Sequence, residues 1–379
     1  MKQMPLSRRA VLRRAGMVAV SAIVAGCAPQ GLSETRSVSA PATGAPAPAA
    51  GAPATVAPAT VTPAPTATPD PKAGWPTVFN MGYFGGDDPA AVMEGNEPLR
   101  ALCEKKLGIP VKLFTGTSYT AVIEAMRNKK VDSMMVGPFS YVLAVKEAGA
   151  EAIAVGVSTS AKPPVYDPKL VPCYYSIIFT KKGSGINSLQ DLKGHSFNFV
   201  DPASTSGHLM PKTYLLKNGI NPHKDMRTVF AGSHATSVLS VWNGKAEAGA
   251  TYMANFYNMA DSGQVEICGF ADEEINKYRT PEEVKQVFDA CPKGKLAILG
   301  VTDPIPNTPF ALRGDLPKSF KDAVKAILLS LKDDASYIAK KKGWFVDPTA
   351  DLGLKHLDQF YDSLRDVAKL LDLDLAKMA

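Results

Sequence analysis

The sequence predicts an α/β protein with two similar lobes, mostly parallel sheets, a hinge cleft and C-terminal helices. Short apolar runs alternate with helix-period segments from residue 75 onward, the pattern of strands joined by crossover helices. Second, residues 116–136, GTSYTAVIEAMRNKKVDSMMV, and 233–251, SHATSVLSVWNGKAEAGAT, each read as a helix, an Asn-x-Lys turn, an acid and a small-residue strand. At an offset of 115, Tyr119 lies over His234, Ile123 over Val238, Met126 over Val241, Asn128 over Asn243 and Asp132 over Glu247. Third, the tail 316–378 carries helix-period patterns only.

Taken from the N-terminus, 379 residues that are 45% hydrophobic allow roughly two to three domain-sized cores. Lys plus Arg is 42 against 36 acids, but residues 1–26 hold Lys2, Arg8, Arg9, Arg13 and Arg14 and no acid, which leaves a net of +1 for the remainder. A nucleic-acid binder needs clustered positive charge on its folded part, so no nucleic-acid partner is expected. Residues 7–13 supply paired arginines, 15–26 a short apolar run, and Val24-Ala25-Gly26 stands before Cys27. The stretch resembles a bacterial lipoprotein signal, and the arginine pair a twin-arginine export signal with Val11 in place of its usual phenylalanine. The expectation is a signal peptide over 1–26, cleavage before Cys27, lipidation of that thiol and an extracytoplasmic, membrane-anchored product. Residues 28–74 contain no aromatic side chain and 41–71 hold nine prolines among Ala, Thr and Gly. Such a chain buries too little apolar surface to offset its ordering entropy, so 27–74 reads as a tether.

In the body, strands are expected at 78–83, 111–114, 133–136, 152–157, 174–180, 196–200, 228–231 and 248–252, and helices near 99–107, 119–128, 139–148, 207–217 and 233–243. Crossings at 174–180 and 296–302 would divide it into lobe 1, 75–175 with 297–379, and lobe 2, 176–296, closing about a hinge. Cys103, Cys173, Cys268 and Cys291 can pair in three ways or stay as buried thiols. Cys268 with Cys291 is favoured because they bracket a charged, turn-rich segment. The charged stretch 271–286 reads as solvated helix or a surface contact. No CxxC occurs and the five histidines show no ligand spacing, so no cofactor or metal is expected.

The chemistry concentrates in Asp201-Pro202-Ala203-Ser204-Thr205-Ser206-Gly207-His208, between a strand and a helix. Asp-Pro makes a turn and a hydroxyl caps the helix, but three consecutive hydroxyls exceed what capping needs. With the unpaired N–H groups and the positive helix end they form an anion seat. Ala231-Gly232-Ser233-His234 opens the next helix of that lobe and adds a hydroxyl and an imidazole. Lobe 1 offers Tyr119 at the equivalent helix start, with Tyr83 and Tyr141 as further candidates; neither turn contains an arginine.

The runs SYTAVIEA at 118–125, GPFSY at 137–141, DLKG at 191–194, DPASTSG at 201–207 and GSH at 232–234 occur in that order. Together they resemble the phosphate/phosphite/phosphonate-binding proteins of bacterial ABC importers, over about 78–252. The resemblance implies a type II periplasmic-binding-protein fold and a hinge-closing receptor that delivers a small phosphorus oxyanion to a membrane permease, acting as a monomer and not as an enzyme. By position it implies ligand contacts from Ser204, Thr205, Ser206 and His234, with Tyr119 opposite, Tyr174 as a wall, and His208 beside them. Binders of aminoalkyl phosphonates place an acid where this chain has Tyr252. That departure favours phosphite, methylphosphonate or a related ligand without a cation.

Three other readings draw on parts of the sequence. Ser204 or Ser206 with His208 or His234 suggests a hydrolase, but no Gly-x-Ser-x-Gly elbow and no orienting acid accompany them. Tyr174-Tyr175 suggests ferric-ion capture, although on a strand the two rings face opposite sides. A receptor for a membrane kinase would use the same cleft and tether.

Overall fold

The computed structural model describes residues 70–371 apart from Asp87 and Glu273. The signal peptide, Cys27 and the linker up to residue 69 lie outside the described residues. Apolar and β-branched runs form strands β1 (Phe79–Phe84), β2 (Val111–Gly116), β3 (Ser133–Met135), β4 (Ala150–Ser158), β5 (Cys173–Tyr174), β6 (Ser176–Lys181) and β7 (Ser196–Phe199). Then come β8 (Arg227–Phe230), β9 (Ala248–Tyr252), β10 (Ile267–Cys268), β11 (Leu296–Val301), β12 (Ile305–Pro306), β13 (Pro309–Arg313) and β14 (Gly343–Val346). The helices are α1 (Pro89–Leu107), α2 (Tyr119–Arg127), α3 (Pro138–Ala148), α4 (Met210–Lys217), α5 (Pro222–Asp225) and α6 (His234–Trp242). They continue as α7 (Met253–Asp261), α8 (Pro281–Ala290), α9 (Lys318–Ser330), α10 (Ala335–Lys341), α11 (Thr349–Leu352) and α12 (Asp362–Leu370).

Two six-stranded sheets result, ordered β14-β4-β13-β3-β1-β2 and β10-β11-β6-β9-β7-β8. In each, a first strand is flanked in parallel by the next two of its lobe: β1 by β2 and β3, β7 by β8 and β9. The fourth strand, β13 or β6, is antiparallel to both its neighbours. The sheets are therefore mixed: the parallel pairs are those of the βαβ trios and of β10 with β11, and the antiparallel ones gather around β4, β13 and β6. Each sheet packs apolar side chains on both faces. Phe79, Met81 and Tyr83 of β1 join Leu99 and Cys103 of α1 on one side of the first sheet, and Tyr119, Val122, Ile123 and Met126 of α2 pack on the other.

The internal similarity extends to backbone angles. Ser118 and Ser233 cap α2 and α6 with the same φ of −146° and ψ of 166°, each accepting from the N–H three residues on at 3.0 Å. Asp132 accepts the Asn80 N–H at 2.8 Å and Glu247 the Ser196 N–H at 2.8 Å, so the acid after each Asn-x-Lys turn ties down the middle strand of its parallel trio. The favoured Cys268–Cys291 bridge is formed, while Cys103 and Cys173 are buried thiols.

Two expectations need correction. The tail is not helical throughout: Gly343–Val346 is β14, because Trp344 and Phe345 fill the apolar surface beside β4, to which it adds antiparallel. The expected crossings at 174–180 and 296–302 lie largely inside the second sheet as β6 and β11. The change of sheet falls on the short antiparallel pair β5/β12, whose two-residue strands lie between the two sheets along the chain. The stretch from 271 is loop as far as Thr280, whose capping box starts α8.

Candidate functional site

The seat begins where β7 ends. The Asp201 carboxylate accepts the Ala203 N–H at 2.8 Å and also takes the Tyr119 backbone N–H from the other lobe. Ser204 caps the following turn, its Oγ accepting from Gly207 N–H at 3.0 Å. That turn, 205–209, is wider than an α-helical one and is pressed onto the strand end, with Val200 N–H donating to Gly207 O at 2.9 Å. A Cβ at Gly207 would stand 2.3 Å from the Val200 Cβ, so only glycine permits the approach. Ser176 Oγ holds the turn by donating to Ser206 O at 2.5 Å. Beside it, the His234 Nδ1 lies 3.1 Å from Thr251 Oγ1, and its ring packs edge-on against Tyr252 with centroids 4.7 Å apart.

These groups line one cleft of about 370 Å³ between the two sheets. Ser204, Thr205, Ser206 and His234 stand on the lobe-2 side with Tyr252; Tyr119 and Tyr83 face them from lobe 1, and Tyr174 comes from β5. Burial raises the phenols of Tyr119, Tyr174 and Tyr252 above their ordinary pKa, so they act as neutral donors. Tyr119 bonds Ser204, and Tyr174 bonds Ser206 and Thr205. None of the described residues lining the cleft is Asp, Glu, Lys or Arg. Three further hydrogen bonds span the lobes: Phe139 N–H to Thr205 Oγ1 at 2.8 Å, Ser140 Oγ to Ala203 O at 2.7 Å, and Asn276 Nδ2 to Ser158 O at 2.7 Å.

His208 does not join them. Its Nδ1 lies 2.9 Å from Pro202 O and its ring packs between Phe199 and Phe230, where burial lowers its pKa to about 4. The turn that aims residues 204–206 into the cleft carries residue 208 round to the opposite side. Tyr141 is also elsewhere, donating to Asp358 Oδ1 at 2.7 Å and packing on Tyr361. Sequence reasoning missed Asn276, Ser158, Asn96, Asn307 and Thr308, all of which line the cleft. Asn276 sits in the loop bracketed by the disulfide and anchored by the buried Arg279, which pairs with Asp272 and covers Phe270; a charged stretch containing one buried arginine was the available signal. A second cavity of about 350 Å³, beside β5/β12, is lined by apolar side chains such as Leu170, Pro304 and Trp344 and by the acids Asp167 and Asp351, a setting unsuited to an oxyanion.

The family model described as "ABC transporter, phosphonate, periplasmic substrate-binding protein" matches residues 81–348. The chain is 29% identical to the phosphonates-binding periplasmic protein of Escherichia coli over 64% of its own length and 63% of that protein's. It is 29% identical to the phosphate-import protein PhnD of Mycolicibacterium smegmatis over 47% of this chain and 56% of the other. It therefore spans less than two thirds of the length of these curated relatives. Among solved structures, PhnD1 of Prochlorococcus marinus in complex with methylphosphonate superimposes with a TM-score of 0.58 at 19% identity, covering 80% of this chain and all of that one. The shared architecture is the type II periplasmic-binding-protein fold.

Proposed function

Because the chain belongs to the family of periplasmic substrate-binding proteins of phosphonate ABC transporters, we propose that its cleft captures a small phosphorus oxyanion, phosphite, methylphosphonate or a related phosphonate, and presents it to a membrane permease. The observation that carries this reading is the convergence of two helix N-termini, three hydroxyls and one imidazole on a cleft wall that, among the described residues, has no Asp, Glu, Lys or Arg. A phosphonate dianion bears about two negative charges near neutral pH. Backbone N–H groups, Ser204, Thr205, Ser206 and His234 supply donors to its oxygens, and the positive helix ends favour its charge. Tyr119, Tyr174 and Tyr252 cover the remaining face. Closure removes water and strengthens each hydrogen bond.

No carboxylate among the described lining residues meets an ammonium group, which favours ligands without a cation. The hydrolase reading finds little support: His234 turns its Nδ1 to a threonine hydroxyl and His208 faces away from the cleft. We also propose that lipidation at Cys27 and the proline-rich tether hold this receptor outside the cytoplasm beside its permease, on the strength of the Val-Ala-Gly-Cys run.

Isothermal titration with phosphate, sulfate, phosphite, methylphosphonate and 2-aminoethylphosphonate tests the reading. Phosphite or methylphosphonate should bind most tightly, and Ser206→Ala or His234→Ala should each weaken binding by about 1–3 kcal/mol, the loss of a hydrogen bond to a charged group. Unchanged affinity in both variants, or heat only with sulfate, rejects the seat.

A further inference from the structure

Lys340-Lys341-Lys342 closes α10 and reads as a solvated basic run, but its three side chains do not share one environment. Lys340 and Lys342 are exposed, whereas Lys341 is half-buried and reaches across lobe 1 to α1. Its ammonium donates to Gly95 O and stands 3.4 Å from Asn96 Oδ1. No acid among the described residues pairs with it, and burial, with neighbouring Lys340, lowers its pKa. A cation drawn out of water without a counter-charge is unfavourable, so its placement calls for an anion.

Asn96 connects this cation to the cleft. Its Nδ2 donates to Val92 O at 2.8 Å while its Oδ1 faces the ammonium. Both neighbours demand the same amide orientation, because a flipped amide would set Oδ1 against a carbonyl and Nδ2 against an ammonium. Asn96 lines the oxyanion cleft, and its second Nδ2 hydrogen has no partner among the described residues.

We propose that Lys341 is the counter-charge of the bound oxyanion, acting through Asn96, whose polarised amide donates its second N–H to the ligand from the lobe-1 side. The inference rests on the oxyanion seat described above and names the full positive charge that the seat itself lacks. Hydroxyls and helix ends hold the ligand's oxygens but set only partial charges against about two negative ones. A cation one amide behind the wall attracts the ligand while its own donors stay with Gly95 and Asn96, so nothing rearranges when the ligand arrives. Through one amide and one hydrogen bond the separation is roughly 7 Å, within the Debye length of about 8 Å at physiological salt. Coulomb attraction is proportional to ligand charge, so the affinity factor gained by a dianion is about the square of that gained by a monoanion. The class favoured is dianions such as phosphonates over monoanionic sulfonates of the same shape.

Titration of the full chain and of Lys341→Met and Lys341→Arg at about pH 8.5 tests this, with methylphosphonate as the dianion and methanesulfonate, read by displacement, as its monoanionic counterpart. Lys341→Met should weaken methylphosphonate about tenfold and methanesulfonate only about threefold, the square root of that factor. Lys341→Arg keeps the charge and should stay within threefold of the parent. Asn96→Asp, which sets a carboxylate against Lys341, should weaken methylphosphonate at least tenfold and decides the point if Lys341→Met fails to fold. Unchanged methylphosphonate affinity in Lys341→Met or in Asn96→Asp overturns the assignment. So does an equal fold-loss for both anions, or a loss in Lys341→Arg equal to that in Lys341→Met, either being the mark of a lysine that only ties α10 to α1. Failure of methylphosphonate to bind the parent protein overturns the seat itself.

Discussion

The helices starting at Tyr119 and His234 are alike in backbone: nine residues each, identically angled serine caps, asparagine at the C-cap and an inward face at equivalent positions. What meets their positive ends differs. The Tyr119 amide is already taken by the Asp201 carboxylate, and the first helix of lobe 1 is capped by another acid, Asp88, which accepts from Ala91 N–H at 2.9 Å. The corresponding first helix of lobe 2 is capped by Ser204. Helix ends that one lobe saturates with the protein's own carboxylates are left in the other to neutral hydroxyls and an imidazole. Duplicating the frame provides the same electrostatic opportunity twice, and a few side chains decide which copy serves a ligand.

The largest test of this contrast compares glycines in the two first turns. Gly207→Ala drives a Cβ into Val200 and should destabilise the protein by about 3 kcal/mol, at the upper end of overpacking effects, whereas Gly86→Ala meets nothing within 4 Å and carries only the ~1 kcal/mol strain of its φ of +59°. Urea unfolding measures both, and similar losses would remove the close approach from the account. Next in size is an acid sensitivity confined to lobe 2. The folded-state pKa of His208, about 4, is below its unfolded value near 6.5. Above pH 6.5 both states are neutral. As pH falls from 6.5 to 4 the unfolded state takes up the proton first, so stability drops by about 3 kcal/mol and then levels. His208→Gln should lose that part of the pH dependence, read as the difference from the parent protein in unfolding free energy at pH 7 and pH 4.5. The smallest test uses the matched caps. Ser118→Ala and Ser233→Ala should each cost about 1 kcal/mol of stability, but only Ser233→Ala should lower ligand affinity, by threefold or more; equal affinities would deny that the two helix ends differ in role.

The βαβ trios and the hydroxyl turn that lines the cleft were legible because local patterns encode them: apolar periodicity in residues 119–126 and 234–241, and a hydroxyl run between a strand and a helix at 204–206. Strands β10, β12, β13 and β14 were not, since they are short and owe their conformation to neighbours distant in sequence, as Trp344 and Phe345 do to β4. His208 was misplaced because a turn wider than an α-helical one changes which residues share a face, and nothing in the composition announces that widening. Asn276 was missed because its reach to Ser158 depends on a loop positioned by the Cys268–Cys291 bridge and Arg279.

The cleft wall, free of ionised side chains among the described residues, has a bearing on where such a receptor can work. Mobile ions weaken attraction between solvent-exposed opposite charges, and a guanidinium clamp at a wet surface would loosen as salinity rises. Oriented amides and hydroxyls offer those ions little to shield once the proposed closure seals them, so the grip of the proposed receptor should vary little between fresh water and brine.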